Sequence, residues 1–282
     1  MRWKSRRSSS NIDDRRRVRI GRKAKGGGII SIVVVLLAMY FGVDPQMALQ
    51  VADSVQGQGT TTQTVYQPTA EENQLAEFIS VILADTEDTW HEIFQENGRR
   101  YQEPTLVLFT GAVQSACGSA QAAMGPFYCS RDSKVYIDLG FYQDLKSRHG
   151  APGDFAQAYV IAHEVGHHVQ HLLGISAQVH QARQKMNQAA GNALSVKLEL
   201  QADCFAGVWA HHTEKAKQIL EQGDVEEALT AASAIGDDRL QREATGRVRP
   251  ESFTHGTSKQ RVYWFKKGLQ QGSVQACNTF NS

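Results

Sequence analysis

In the stretch Val160-Ile-Ala-His-Glu-Val-Gly-His-His-Val169, two histidines stand four residues apart with a glutamate beside the first. On an α-helix, His163 and His167 project from one face a turn apart, so their imidazoles can grip one divalent cation. Glu164 lies about 100° further round the helix, close enough to touch a cation-bound water without ligating the metal. A catalytic zinc site takes three protein ligands and leaves a position open for water. The third ligand is offered by Lys197-Leu-Glu-Leu-Gln-Ala-Asp-Cys-Phe-Ala206, where Glu199 and Asp203 fall at i and i+4 of a predicted helix. One carboxylate can bind the metal while the other takes the N–H of a ligand histidine, which fixes its tautomer and raises its basicity. We expect Glu199 to be the ligand and Asp203 the partner. Further on, His255 and Arg261 supply donors suited to a developing oxyanion.

HEVGH, ELQAD and a later His-x5-Arg occur in that order in gluzincin metallopeptidases. The run from Gly125-Pro-Phe-Tyr-Cys129 to the C-terminus resembles the bacterial neutral zinc metallopeptidase family, and the likeness covers roughly residues 70–282 together with an N-terminal anchor. The resemblance implies an α+β fold, predominantly helical, zincin-like, with a small sheet packed on the active-site helix. It implies one Zn²⁺ per chain held by His163, His167 and Glu199, with a peptide or protein as substrate. Glu164 would be the general base, and His255 and Arg261 would assist catalysis. It also implies that a strand at Val135–Leu139 is the sheet edge that pairs with extended substrate.

Other readings of these residues are weaker. The flanks of the motif carry no charge, which a surface helix with accidental histidines would rarely show. His168 points away from the His163/His167 face, and Gln170 and Leu173 stand where a metzincin would need Gly and a third His. His211 and His212 are adjacent and read as solvated. No C-x-x-C pair is present. The main rival function is a catalytically silent zinc protein that binds partners; an intact Glu164 argues against it, because a closed structural site needs no base.

The formal net charge of +1 hides an asymmetry: residues 1–25 hold 11 Lys/Arg against Asp13 and Asp14. Residues 26–43 then carry no charge at all over 18 positions. Such a run reaches about 27 Å as a helix, barely the width of a hydrocarbon core. The positive-inside rule predicts a basic cytoplasmic tail at 1–25, an uncleaved signal anchor at 26–43, and a catalytic domain outside the inner membrane, in the periplasm. The arginine-rich tail reads as a topology determinant, so no nucleic-acid partner is expected. Four cysteines, Cys117, Cys129, Cys204 and Cys277, all lie beyond the anchor and should oxidise there. Cys117 and Cys129 are near in sequence, leaving Cys204 for Cys277, although four cysteines allow three pairings.

Residues 44–70, rich in Gln, Thr, Ser and Gly, read as a flexible linker to a domain at 71–282. Apolar spacing predicts one helix, or two broken near Asp85, over 71–97. Thr105–Thr110 and Lys134–Leu139 are predicted strands. The metal helix should run from about Gly153, capped by Asp154, to Leu173, followed by helical stretches over 177–217 (bent at Gly191), 224–235 and 258–270. Trp90, Trp209 and Trp264 are expected in the core.

Overall fold

The computed structural model describes residues 1–21, 62–65, 67–121 and 125–281. The chain divides into a large unit, residues 1–17 with 67–282, and a small one, residues 18–66. In the small unit, β2 (Val18–Gly21) and β3 (Thr62–Val65) form an antiparallel ladder with Val18 opposite Val65 and Gly21 opposite Thr62. The expected anchor at 26–43 lies outside the described residues, as does most of the expected linker. Where that linker is described it departs from the expectation, since Thr62–Val65 is a strand and Ala70 already opens a helix. Among the described residues, no helix is long and apolar enough to cross a membrane.

The large unit is α+β. Its sheet runs in the order β1 (Ile12–Asp14), β4 (Thr105–Phe109), β8 (Lys134–Asp138), β7 (Phe127–Cys129). β1 and β8 are parallel to β4, whereas β7 is antiparallel to β8. A separate hairpin joins β5 (Ala112–Ser115) to β6 (Gly118–Gln121). The strand read from Val135–Leu139 as the edge is therefore internal, with partners on both sides. The edge is β7, tied to the hairpin by the Cys117–Cys129 disulfide.

Helix α1 (Ala70–Glu96) is continuous and starts from a capping box between Thr69 and Glu72. Asp85, where a break seemed possible, is instead a buried partner for the N-terminal segment. That segment is the largest correction. Residues 1–17 are no free basic tail: Ile12–Asp14 completes the sheet against Leu106–Leu108, and Trp3 packs edge-on against Phe78. Arg6 pairs with Asp85, which also receives Lys217, while Arg7 spans Glu87 and Asp88. Ser9 and Asn11 donate to Glu87, which is 1% exposed. Carboxylates buried on a helix need such cations and donors nearby, because an unpaired buried charge is costly. Arg16 is held by Asp14 and reaches the Glu72 carbonyl at 2.8 Å.

The remaining helices are α2 (Gly140–Ser147), α3 (Asp154–Leu172), α4 (Ile175–Arg183), α5 (Gln188–Lys217), α6 (Asp224–Ala234), α7 (Asp237–Thr245) and α8 (Ser258–Gln271). The stretch expected as a helix bent at Gly191 is two helices, α5 starting afresh where Asn187 accepts the Ala190 N–H. Asp154 does not cap α3; Gly153 occupies the cap and Glu227 accepts the Phe155 N–H. Asp154 instead faces the Met1 ammonium with Asp224. Trp90, Trp209 and Trp264 are buried as expected. Helices α5 and α8 touch through glycine: a Cβ on Gly268 would stand 2.0 Å from the Cys204 carbonyl oxygen, and one on Gly207 would stand 2.2 Å from that of Phe265. The Cys204–Cys277 disulfide fastens the chain beyond α8 to the same stretch of α5.

Candidate metal centre and cleft

Helix α3 brings His163 and His167 to one face, and α5 crosses it at a single close contact. A Cβ on Gly166 would lie 3.0 Å from the Ala202 carbonyl oxygen, so the glycine inside HEVGH sets how near the two helices come. Glu199, one turn before Ala202, thereby faces both imidazoles. Its Oε2 lies 3.2 Å from His163 Nε2 and 3.4 Å from His167 Nε2. Zinc bound tetrahedrally at about 2.0–2.2 Å from each ligand would hold its donor atoms about 3.3 Å apart. The donor set and its spacing thus fit zinc.

Hydrogen bonds fix the ring orientations. Asp203 Oδ1 accepts His163 Nδ1–H at 2.8 Å, and Gln170 Oε1 accepts His167 Nδ1–H at 2.9 Å. Both Nε2 atoms are thereby turned toward Glu199, where loss of their protons frees lone pairs for a cation. Gln170 is itself held by the Leu198 carbonyl at 2.7 Å and by Gln201 at 3.1 Å. Asp203 is 0% exposed and accepts from three donor atoms besides His163: Tyr159 Oη at 2.5 Å and Arg261 Nη2 at 2.8 Å on Oδ1, and Arg261 Nε at 2.9 Å on Oδ2. Arg261 also donates to Tyr159 Oη and to the Ile235 carbonyl. Its donors serve Asp203 beside His163, and Arg261 also lines the cleft.

The electrostatics follow from these contacts. Burial disfavours the charged form of His163, but Asp203 and Glu199 outweigh it and lift its pKa to about 10. His167 is raised in the same way, burial being overcome by Glu199. Burial would raise both carboxylates, yet the imidazoles hold Glu199 well below the usual range, and Arg261 and His163 bring Asp203 to about 2. Without metal the site is a set of ion pairs, and a bound cation replaces the imidazole protons.

Glu164 is 7% exposed and lines a cleft of about 650 Å³ with His163, His167, Glu199 and His255. Tyr128 and Phe127 of the edge strand form another part of the lining. His255 is half exposed, and Asp237 holds it: Oδ1 is 3.3 Å from its Nδ1, while Oδ2 accepts the backbone N–H groups of Thr254, His255 and Gly256. Gly256 makes this turn at φ +91°, a conformation open to glycine. The Asp237 hydrogen bond raises the His255 pKa, against a smaller lowering by burial.

Sequence reading missed Tyr159, Gln170, Asp237 and the role of Tyr128. Gln170, three residues after His167 on the same helix, had a findable signal; the others come from distant segments. His168 donates Nε2–H to the Gln102 carbonyl, so its Nδ1 must accept the Tyr128 hydroxyl proton. His171 Nδ1–H then donates to the Tyr128 oxygen at 2.7 Å. Burial lowers His168 to about 4 and raises Tyr128 to about 12, so both stay neutral. His211 and His212, expected in solvent, bond the Leu269 carbonyl in the last turn of α8 and the Gly272 carbonyl just after it. The remaining carboxylate cluster, Asp154, Asp224 and Glu227, has the Met1 ammonium beside it.

Comparison with known proteins gives the family. The family model described as "Putative neutral zinc metallopeptidase" matches residues 1–280. The chain belongs to that family. It is 52% identical over 289 residues to "Uncharacterized protein YpfJ" of Escherichia coli (strain K12), with 99% of each chain covered. It is 45% identical over 192 residues to "Uncharacterized protein Rv2575" of Mycobacterium tuberculosis, with 64% of each chain covered. No solved structure matches. Family membership implies zinc, in keeping with the spacing of His163, His167 and Glu199.

Proposed function

We propose that this chain is a zinc-dependent peptidase of zincin-like build, with His163, His167 and Glu199 holding one Zn²⁺. The observation that carries the reading is the approach of Glu199 Oε2 to both imidazole Nε2 atoms, at the spacing of ligands on one zinc, beside a cleft-lining Glu164. Zinc bound there would polarise a carbonyl and acidify water at neutral pH. Glu164 takes the proton of the attacking water and returns it to the leaving nitrogen. His255, steadied by Asp237, donates to the oxygen where negative charge develops, a contribution of about 2–4 kcal/mol. Arg261 and Tyr159 keep Asp203 fixed and so hold the His163 ring. An extended peptide can add to the sheet along β7, whose Phe127 and Tyr128 line the cleft; backbone pairing of this kind tolerates many side chains. The two disulfides support an oxidising, extracytoplasmic location for the domain.

The test is metal analysis combined with cleavage of a peptide library. Glu164→Gln is expected to retain one zinc per chain and lose hydrolysis by about 10³-fold or more. Wild-type protein that carries zinc and cleaves no peptide would overturn the reading in favour of a partner-binding zinc protein.

A further inference from the structure

Residues 1–17 and 67–282 form one unit, and the 49 residues between them leave and return at one place. Three observations fix this. β1 contributes a parallel strand to the sheet, with Leu106 N–H donating to the Asn11 carbonyl and Arg15 N–H to that of Leu108. Arg16, just before the insertion, bonds the Glu72 carbonyl at 2.8 Å and Asn73 Oδ1 at 3.2 Å, just after it. The insertion itself begins and ends as one antiparallel ladder, Gly21 facing Thr62.

A chain that crosses a bilayer once between residues 17 and 67 would put these partners about 30 Å apart, on opposite sides of the hydrocarbon. Crossing twice would need a second apolar run. Residues 44–61 supply none: they include Asp44, Asp53 and Gln46, Gln50, Gln56 and Gln58. The uncharged run at 26–43 nevertheless has the composition of a lipid-facing segment, preceded by Arg22, Lys23 and Lys25, which suit anionic headgroups.

We propose that residues 1–17 and 67–282 lie on the same side of any lipid bilayer the protein meets, so that the chain between them does not cross one from side to side. This replaces the single-pass topology expected from charge and hydropathy, and it does not depend on the peptidase reading. The test is labelling of single added cysteines at two exposed positions, Ser8→Cys and Lys266→Cys, with a membrane-impermeant maleimide in spheroplasts and in inverted vesicles. Both positions reacting in the same preparation is the expected result, and the disulfides indicate spheroplasts; both reacting in inverted vesicles alone still supports the shared side. Reaction of Ser8→Cys in one preparation and Lys266→Cys in the other overturns the proposal.

Discussion

Each ligand histidine has a different neighbour to thank for its orientation, and the variants should separate them. Tyr159→Phe removes one donor from Asp203 and should cost about 1–2 kcal/mol in stability while leaving the fold intact. Arg261→Ala strands a buried carboxylate, with an expected loss of about 3–5 kcal/mol in denaturant unfolding. Gln170→Ala should weaken zinc binding about 10–100-fold in a chelator competition; unchanged affinity would show that His167 needs no such partner. The protonation of the metal-free site gives a further expectation. His163 has a folded pKa of about 10, above its unfolded 6.5, so its contribution to stability is full below about pH 6.5. That contribution is lost as pH rises through 10. Metal-free protein should therefore unfold at lower urea concentration at pH 10 than at pH 7, whereas zinc affinity should increase over the rise from pH 6, as protons stop competing. His163, Glu164, His167, Glu199 and Asp203 were legible because helix geometry and donor chemistry constrain them within two short stretches. Arg261 was found from its type, but only tertiary packing reveals that Asp203 takes its charge.

Helices α3, α5 and α8 hold the site through backbone approaches that large side chains would prevent. Gly268→Ala places a methyl group against the Cys204 carbonyl on the other helix, and neither backbone can give way cheaply. A loss of about 2–3 kcal/mol is expected in urea unfolding, and a wild-type midpoint would mean the helices can separate without penalty. The Cys204–Cys277 bond closes a separation of 73 residues, for which chain entropy gives about 4 kcal/mol. Long elements with strong periodicity, such as Ala70–Glu96 and Asp154–Leu172, were legible in the sequence to within a residue or two. The edge of the sheet was not. Alternation says that Lys134–Asp138 is a strand but carries no information on its partners, and three-residue β7 is too short to show a period. Helix α7 escaped because Asp237–Thr245 is nine residues long and mostly polar, and its Asp237 works for a turn seventeen to nineteen residues further on.

On the scale of the whole molecule, the arginines near the start of the chain behave as a structural clasp. Their +9 balance was plain from composition, but their neutralisation by Asp85, Glu87 and Asp88 was not, because those acids lie nearly eighty residues away. Deleting residues 2–17 should strip β4 of a neighbour, take from buried Glu87 its Arg7, Ser9 and Asn11 donors, and leave Asp85 and Asp88 to Lys217 without Arg6 and Arg7. Thermal unfolding should then fall by many degrees or the domain should fail to fold. Replacing residues 22–61 by a two-residue turn should instead leave a folded zinc-binding protein; loss of fold in that variant would give the insertion a structural role in the large unit. The attachment of Cys277 beside Asp203 has a consequence for biogenesis. A nascent chain acquires the motif helix early, but Arg261 and the covalent fastening of α5 arrive only after another hundred or so residues have emerged. The surroundings of the candidate metal centre are therefore complete only after the last residues have emerged and Cys277 has joined Cys204.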